Sequence, residues 1–313
     1  MGKVNLKFGQ RGQSVAEYLL LLHNIELVND AESNTLLCHR EDPIFNKLKG
    51  NQNLIPVFKH IIVEDWFGID DNHNDRIHLF DYPNVTFCTT NMQQNNLKHA
   101  RAIHYNFMFN RTKLVYNEEF PIKRNNKKFF LLLTNSTGEN YKKVKYNADR
   151  AYDFLFLNAR RQTPERAETQ QVLHGLNGIV STKNNLLPGD VNMPYNPVPA
   201  NYWESCYFNI AIETNVKNDN IVHTTEKVWE PIIKYQIPII LSTKHYQAYM
   251  ESLGFVFPIK VFTEPDEYYD FLAEFFSDNP RKFFLAHQDE VMYNHKLFFD
   301  LPIDTGVEQI WGK

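Results

Sequence analysis

Residues 210–241 constrain the fold more than any other stretch of the chain. An apolar run, Ile210-Ala211-Ile212, ends in Glu213, and a polar loop leads to Thr224-Thr225-Glu226-Lys227. Val228-Trp229-Glu230-Pro231 follows, and then a second apolar run, Ile237-Pro238-Ile239-Ile240-Leu241. The order is strand, loop, helix start, strand, which belongs to an α/β layer with a mainly parallel sheet. Thr225 stands where a helix N-cap belongs, so the unpaired N–H groups and the positive dipole end of the helix face the loop, with Lys227 in the first turn. A helix start of this kind binds phosphate. Glu226 beside it is placed to hold a ribose hydroxyl pair, and Glu230 lies one turn further along the same face. A nucleoside diphosphate fits this chemistry.

The same alternation runs along the rest of the chain. Residues 4–8 predict a strand, then a turn through Gly9 and Gly12, then a helix opened by Ser14 and ending at Leu22. Gly9-Gln10-Arg11-Gly12 matches no nucleotide fingerprint and is read as a tight turn. Apolar runs at 54–63, 77–80 and 85–88, a helical spacing over 95–107, and strands at 113–116 and 129–134 follow. The polar segment 135–149 has no apolar period and is the linker candidate. Beyond it come a strand at 153–157, a loop through Arg160 and Arg161, and a helix with Thr163 as cap and Pro164 in first position. A strand at 178–181 is followed by an irregular excursion with prolines at 188, 194, 197 and 199. The strand at 207–213, the helix from Thr225, a strand at 238–241, a helix at 246–253 and a strand at 257–262 complete a second unit. Residues 265–299 are helical and rich in Phe and Tyr that face a core. The expectation is two Rossmann-like domains, 1–147 and 148–313, with the last helix packing back on the first.

Composition sets the surroundings of this fold. A chain of 313 residues that is 43% apolar and 22% charged can bury a full core. Residues 19–22 are the longest apolar run in the first fifty, too short for a signal segment or a membrane span, and a cytosolic setting in a bacterium or a virus-infected cell is expected. Cys38, Cys88 and Cys206 lack metal-ligand spacing and suit a reducing compartment. Residues 1–150 carry 20 Lys and Arg against 16 Asp and Glu, and the remainder carries 13 against 21. The basic excess is densest over 123–150, which is either a solvated connection or a surface for a phosphate backbone.

The block Ile210-Ala211-Ile212-Glu213-Thr214-Asn215, then His223-Thr224-Thr225-Glu226-Lys227, then Ile237-Pro238-Ile239-Ile240, resembles the donor-binding signature of the fucosyltransferase-like glycosyltransferases. In that group a Glu-Asn-Ser and a Thr-Glu-Lys element precede a Pro-Val strand. Here Thr214 and Asn215 replace the Asn and the Ser, which leaves the base and sugar of the donor open. Phe156-Leu157-Asn158-Ala159-Arg160-Arg161, with Arg166 behind it, is similar to the arginine-bearing strand, loop and helix of the same group. The resemblance spans residues 153–260. It implies a GT-B fold with two Rossmann-like domains facing a central cleft, a nucleotide sugar held by the C-terminal domain, and chemistry without a metal. A shorter run, Asp219-Asn220-Ile221-Val222 with Lys227-Val228-Trp229-Glu230, is similar to phage DNA glucosyltransferases. That likeness gives Glu230 the ribose and Arg160 and Arg166 the phosphates, with a 5-hydroxymethylpyrimidine in DNA as acceptor.

Cleaving a glycosidic bond to a nucleoside diphosphate leaves negative charge on the phosphates. Arg160, Arg161, Arg166 and Lys227, together with the helix start, can stabilise that charge. Glu213, at a strand end, is either an acid of the donor site or a cap for the loop. Inversion at the anomeric carbon needs a base for the acceptor hydroxyl, and Glu64 and Asp65, after the apolar run 61–63, are the candidates, followed by His99 and His104. Asp70-Asp71-Asn72-His73-Asn74-Asp75 is rich in oxygen ligands but lacks the glycine and distal glutamate of a calcium loop, so no metal site is expected. The nucleotide sugar is the expected co-substrate, with no further cofactor. A glycan is the expected acceptor, with DNA held through the first domain and 123–150 as the alternative. A non-catalytic nucleotide- or nucleic-acid-binding module is the reading from another class.

Overall fold

The computed structural model describes residues 3–5, 26–28, 35–39, 43–65, 80–89, 98–104, 109, 112–113, 144–158, 163–182, 200–213, 222 and 224–302. Two parallel sheets organise them. The first contains β1 (Lys3–Asn5), β2 (Glu26–Val28), β3 (Thr35–His39), β4 (His60–Asp65), β5 (Val85–Thr89) and β6 (Arg101–His104), in the order β2-β1-β3-β4-β5-β6. Helix α1 (Pro43–Gly50) and a 3-10 turn at Gln52–Val57 link β3 to β4. Alternate residues Leu36, Cys38, Ile61, Val63, Val85 and Phe87 turn one face of this sheet toward Phe45 and Leu48 of α1, where Phe45 stacks on Phe80 at 4.3 Å.

The second sheet contains β7 (Tyr152–Asn158), β8 (Gly178–Thr182), β9 (Cys206–Ile212) and β10 (Ile237–Leu241), in the order β10-β9-β7-β8. Its helices are α2 (Pro164–Val172), α3 (Ala200–Glu204), α4 (Glu226–Ile233), α5 (Tyr246–Ser252), α6 (Pro265–Ser277), α7 (Pro280–Ala286) and α8 (Gln288–Asp300). Every residue of β9 and β10 is buried, because both faces of these parallel strands are covered, and the edge of β10 is shielded by the Leu241–Phe262 bridge. One face carries Phe154, Phe156, Phe208, Ile210, Ile212, Ile239 and Leu241 against Leu173, Leu272, Phe276 and Phe284. The other face presents Ala211 and Ile240 to Val228, Trp229, Ile232 and Ile233 of α4 and to Tyr246 and Met250 of α5.

Most elements of the second unit stand where the sequence pattern puts them, including the Thr163 and Thr225 caps. Three expectations are corrected. The helical spacing over 95–107 contains strand β6, whose residues 101–104 pair with Thr86–Thr89 in β5. The Asp81 carboxylate accepts the amides of Lys98, His99 and Ala100 just before it, which fixes an extended approach to the sheet edge. The expected strand at 257–262 contributes one bridge, Phe262 to Leu241, because Pro258 removes a ladder donor within the run. Lys113, the first residue of the expected strand at 113–116, is helical, and the rest of that strand lies outside the described residues. Strands β2 and β3 and helix α1 were not anticipated, and the expected helix at 14–22 and strand at 129–134 lie outside the described residues.

Residues 146–150 pack on the second sheet and its helices. Arg150 is buried, and its guanidinium donates to the carbonyls of Asn147, Cys206 and Tyr235, with Phe284 beneath it at 5.2 Å. Burial lowers its pKa to about 10. The last helix, α8, packs on α4, and residues from the first half of the chain join this contact. Phe109 meets Trp229 at 5.0 Å and Phe298 at 5.1 Å, and the Lys113 ammonium donates to the Phe299 carbonyl at 2.9 Å.

Candidate active site

In the second sheet the chain leaves β7 for β8 on one side and returns to β9 on the other. The connections diverge between β7 and β9, and the crevice beyond the carboxyl ends of these strands is the place where open α/β sheets bind ligands. Asn158 ends β7 there, Ile212 ends β9, and Glu213 follows it. The N-termini of α2 and α4 reach the same edge from opposite faces of the sheet.

Glu213 is 3% exposed and forms the centre of a clasp. Its Oε1 accepts the Thr225 amide at 3.0 Å, and its Oε2 accepts the Thr225 hydroxyl at 2.7 Å. The Tyr246 hydroxyl donates to Oε1 at 3.4 Å, and the Lys227 Nζ lies 3.5 Å from Oε2. The Thr225 Oγ1 in turn accepts the Lys227 amide at 3.2 Å, which is the N-cap bond of α4. The contacts of Glu213 are those of a cap behind the loop. The helix dipole and the nearby ammonium offset the cost of burying its charge. Burial, then the Glu213 carboxylate, hold the Tyr246 phenol well above its ordinary pKa, so it stays a donor.

The clasp orients Lys227, whose side chain retains 18% exposure. Glu226 and Glu230 are half-buried, in the first and second turns of α4. Arg166 comes from the other face of the sheet. Its amide is capped by Thr163 Oγ1 at 3.4 Å, and its Nη2 donates to the Ile212 carbonyl at 3.3 Å, next to Glu213. Thus a lysine and an arginine predicted separately meet at the end of one strand, between two helix N-termini. Anionic oxygen placed there would meet two cations and the positive dipole ends of two helices.

Arg160 and Arg161 lie outside the described residues, as do the glycine turn at 9–12 and the acidic run at 70–75. Glu64 and Asp65 close β4 at the carboxyl edge of the first sheet, in register with Cys88 and Thr89. His99 is exposed, and His104 ends β6. Among the described residues no group of three His, Cys, Asp or Glu side chains could hold a metal ion, and no helix is long and apolar enough to cross a membrane. Two residues at the crevice were given no role from the sequence. Tyr246 resembles any helical aromatic in sequence, and Asn158 is signalled only as an amide that ends an apolar strand.

No protein-family model and no curated protein matches the sequence. Among solved structures, the chain matches a crystal structure described as an alpha1,3-fucosyltransferase, with a TM-score of 0.52 at 14% identity, over 97% of this chain and 92% of that one. The fold is the α/β GT-B fold.

Proposed function

We propose that the protein transfers a sugar from a nucleoside diphosphate sugar to a hydroxyl acceptor, with a glycan as the favoured acceptor. The observation that carries this reading is the convergence of Lys227, Arg166 and the capped start of α4 on the carboxyl end of β9. A diphosphate leaving group needs this arrangement, because positive groups fixed beforehand stabilise the charge that develops as the glycosidic bond breaks. The likeness to an alpha1,3-fucosyltransferase supports it at the level of fold.

In this proposal Arg166 and Lys227 hold the diphosphate, joined by Arg160 and Arg161 from the loop after β7, and no metal is required. Glu226 and Glu230, one turn apart on α4, bind the ribose hydroxyls. Glu64 or Asp65 deprotonates the acceptor from the first sheet. The donor half is residues 148–313 and the acceptor half residues 1–147, with Tyr146 and Asn147 before the boundary held against Tyr235 and Arg150 of the donor half. A cytosolic site of action accompanies the proposal. DNA as the acceptor gains no observation, since Arg150, one of the basic residues of 123–150, is buried against backbone carbonyls.

The test is a calorimetric screen of UDP, GDP, CDP and dTDP and their sugars, without metal, on the wild type and Lys227→Ala. One nucleotide should bind, and Lys227→Ala should weaken it at least tenfold, about 1.4 kcal/mol. Absence of binding by every nucleotide, or binding indifferent to Lys227, would overturn the reading and favour a module with no transferase role.

A further inference from the structure

Asn158 is 2% exposed, and neither its Nδ2 nor its Oδ1 has a hydrogen-bond partner among the described residues. A buried amide left unpaired costs stability, and in a folded protein such a group is explained by strain, by water or by a ligand. Three other buried residues among those described carry an orphaned polar atom, and each differs from Asn158. Asn209 has an orphaned Nδ2 but lies in the middle of β9, away from the strand ends, Trp229 lacks a partner at Nε1 within the apolar contact of α4, and Gln236 lacks one at Oε1 while its Nε2 is bound. Asn158 has both amide atoms unpaired, and it stands at the carboxyl edge of β7, at the divergence of the β7 and β9 connections.

Strand alternation directs it further. Asn158 follows Phe154 and Phe156 on the face covered by α2 and α6, the face from which Arg166 reaches the Ile212 carbonyl. The pairing of Phe156 with Ile210 carries the register toward Asn158 and Ile212, so the orphaned amide and the Arg166 guanidinium belong to the same end of the β7 and β9 pair.

We infer that the Asn158 amide is a specificity-determining group of this crevice, recognising a part of the donor that offers a hydrogen-bond donor and an acceptor side by side. The inference rests on the donor-site reading above. Phosphate oxygens only accept, and would satisfy Nδ2 while leaving Oδ1 orphaned. With the ribose hydroxyls assigned to Glu226 and Glu230 on the opposite face, two sources of the paired chemistry remain in a nucleoside diphosphate sugar. One is the amide-like edge of the base, and the other is a hydroxyl pair of the transferred sugar.

The experiment compares the wild type with Asn158→Leu and, should that variant not fold, Asn158→Ala. The thermal midpoint is measured without ligand. Affinity is measured for pyrophosphate, for UDP, GDP and dTDP, and for UDP-glucose, GDP-mannose, GDP-fucose and dTDP-glucose. Removing an unpaired amide should leave the ligand-free midpoint unchanged or raise it, and pyrophosphate binding should not move. A tenfold or greater loss shared by the nucleoside diphosphate and its sugar assigns Asn158 to the base, and a loss confined to the nucleotide sugar assigns it to the sugar hydroxyls. A lowered ligand-free midpoint with unchanged affinities would show a structural amide and overturn the inference. Failure of the wild type to bind any nucleotide would instead overturn the donor site itself, and the inference with it.

Discussion

Both carboxylate oxygens of Glu213 are taken by one residue, Thr225, through its amide at 3.0 Å and its hydroxyl at 2.7 Å. The residue that caps α4 is therefore itself fixed by the end of the neighbouring strand. The position of Lys227 follows from a strand-to-helix lock as well as from the helix.

Thr225→Ser keeps the hydroxyl that donates to Glu213 and accepts from Lys227, and should stay within about 1 kcal/mol of the wild type. Thr225→Val removes the cap and leaves a buried carboxylate oxygen short of a donor, at a cost of roughly 1–3 kcal/mol. Urea denaturation of both variants decides the point, and an equal midpoint for the two would show that the hydroxyl is not part of the lock.

Arg150→Lys should destabilise by roughly 2–4 kcal/mol, since an ammonium cannot span carbonyls on separate segments as the planar guanidinium does. The same denaturation assay measures this. A Lys variant as stable as the wild type would mean that positive charge alone, not the fork of donors, anchors residues 146–150.

Phe109 fills a contact between the first half of the chain and the helix that carries Lys227. Phe109→Ala should cost roughly 3–5 kcal/mol through the cavity left against Trp229 and Phe298. Phe109→Leu should retain more than half of that. Thermal unfolding of the pair checks the order, and the reverse order would show that the ring edge contacts matter little.

At Gly178 a Cβ would lie 2.3 Å from the Phe154 ring, which is wholly buried. Gly178→Ala should therefore destabilise by roughly 1–3 kcal/mol through forced movement of that ring. Restoration by Gly178→Ala combined with Phe154→Leu in a double-mutant cycle would identify the clash as the cause.

Burial raises the Cys206 thiol to about 12. An unfolded chain loses this proton near about pH 8.5, so the contribution of Cys206 is complete below that pH and declines as pH rises toward the folded value. Thermal midpoints should fall between about pH 8.5 and 10, and less steeply in Cys206→Ala. An identical slope in the variant would assign the alkaline loss to other groups, such as the buried phenols of Tyr246 and Tyr268.

Signals within one short stretch proved sufficient for several elements. Thr163 and Thr225 are read as caps because a cap depends on the residues of its own turn, and β9 and β10 are read as strands because parallel strands buried on both faces are almost wholly apolar. The 95–107 spacing misleads for the opposite reason. Pairing with β5 and the grip of Asp81 on three amides come from elsewhere in the chain and outweigh local periodicity. At the site, Lys227 and Thr225 were legible as members of a helix start, whereas Tyr246, 33 residues after Glu213, has no local mark of its role.

The sequence by itself determined the α/β class, the helix that opens at Thr225, and the residue types suited to an anionic guest, since all three follow from local pattern and chemistry. Only the tertiary structure decided that Glu213 closes on Thr225, that Arg166 and Lys227 reach one strand end from opposite faces, and that Asn158 is buried with its amide unpaired among the described residues. The physical reason is that strand order and register set these neighbours. Both depend on how whole elements bury their faces against one another, which no single segment encodes.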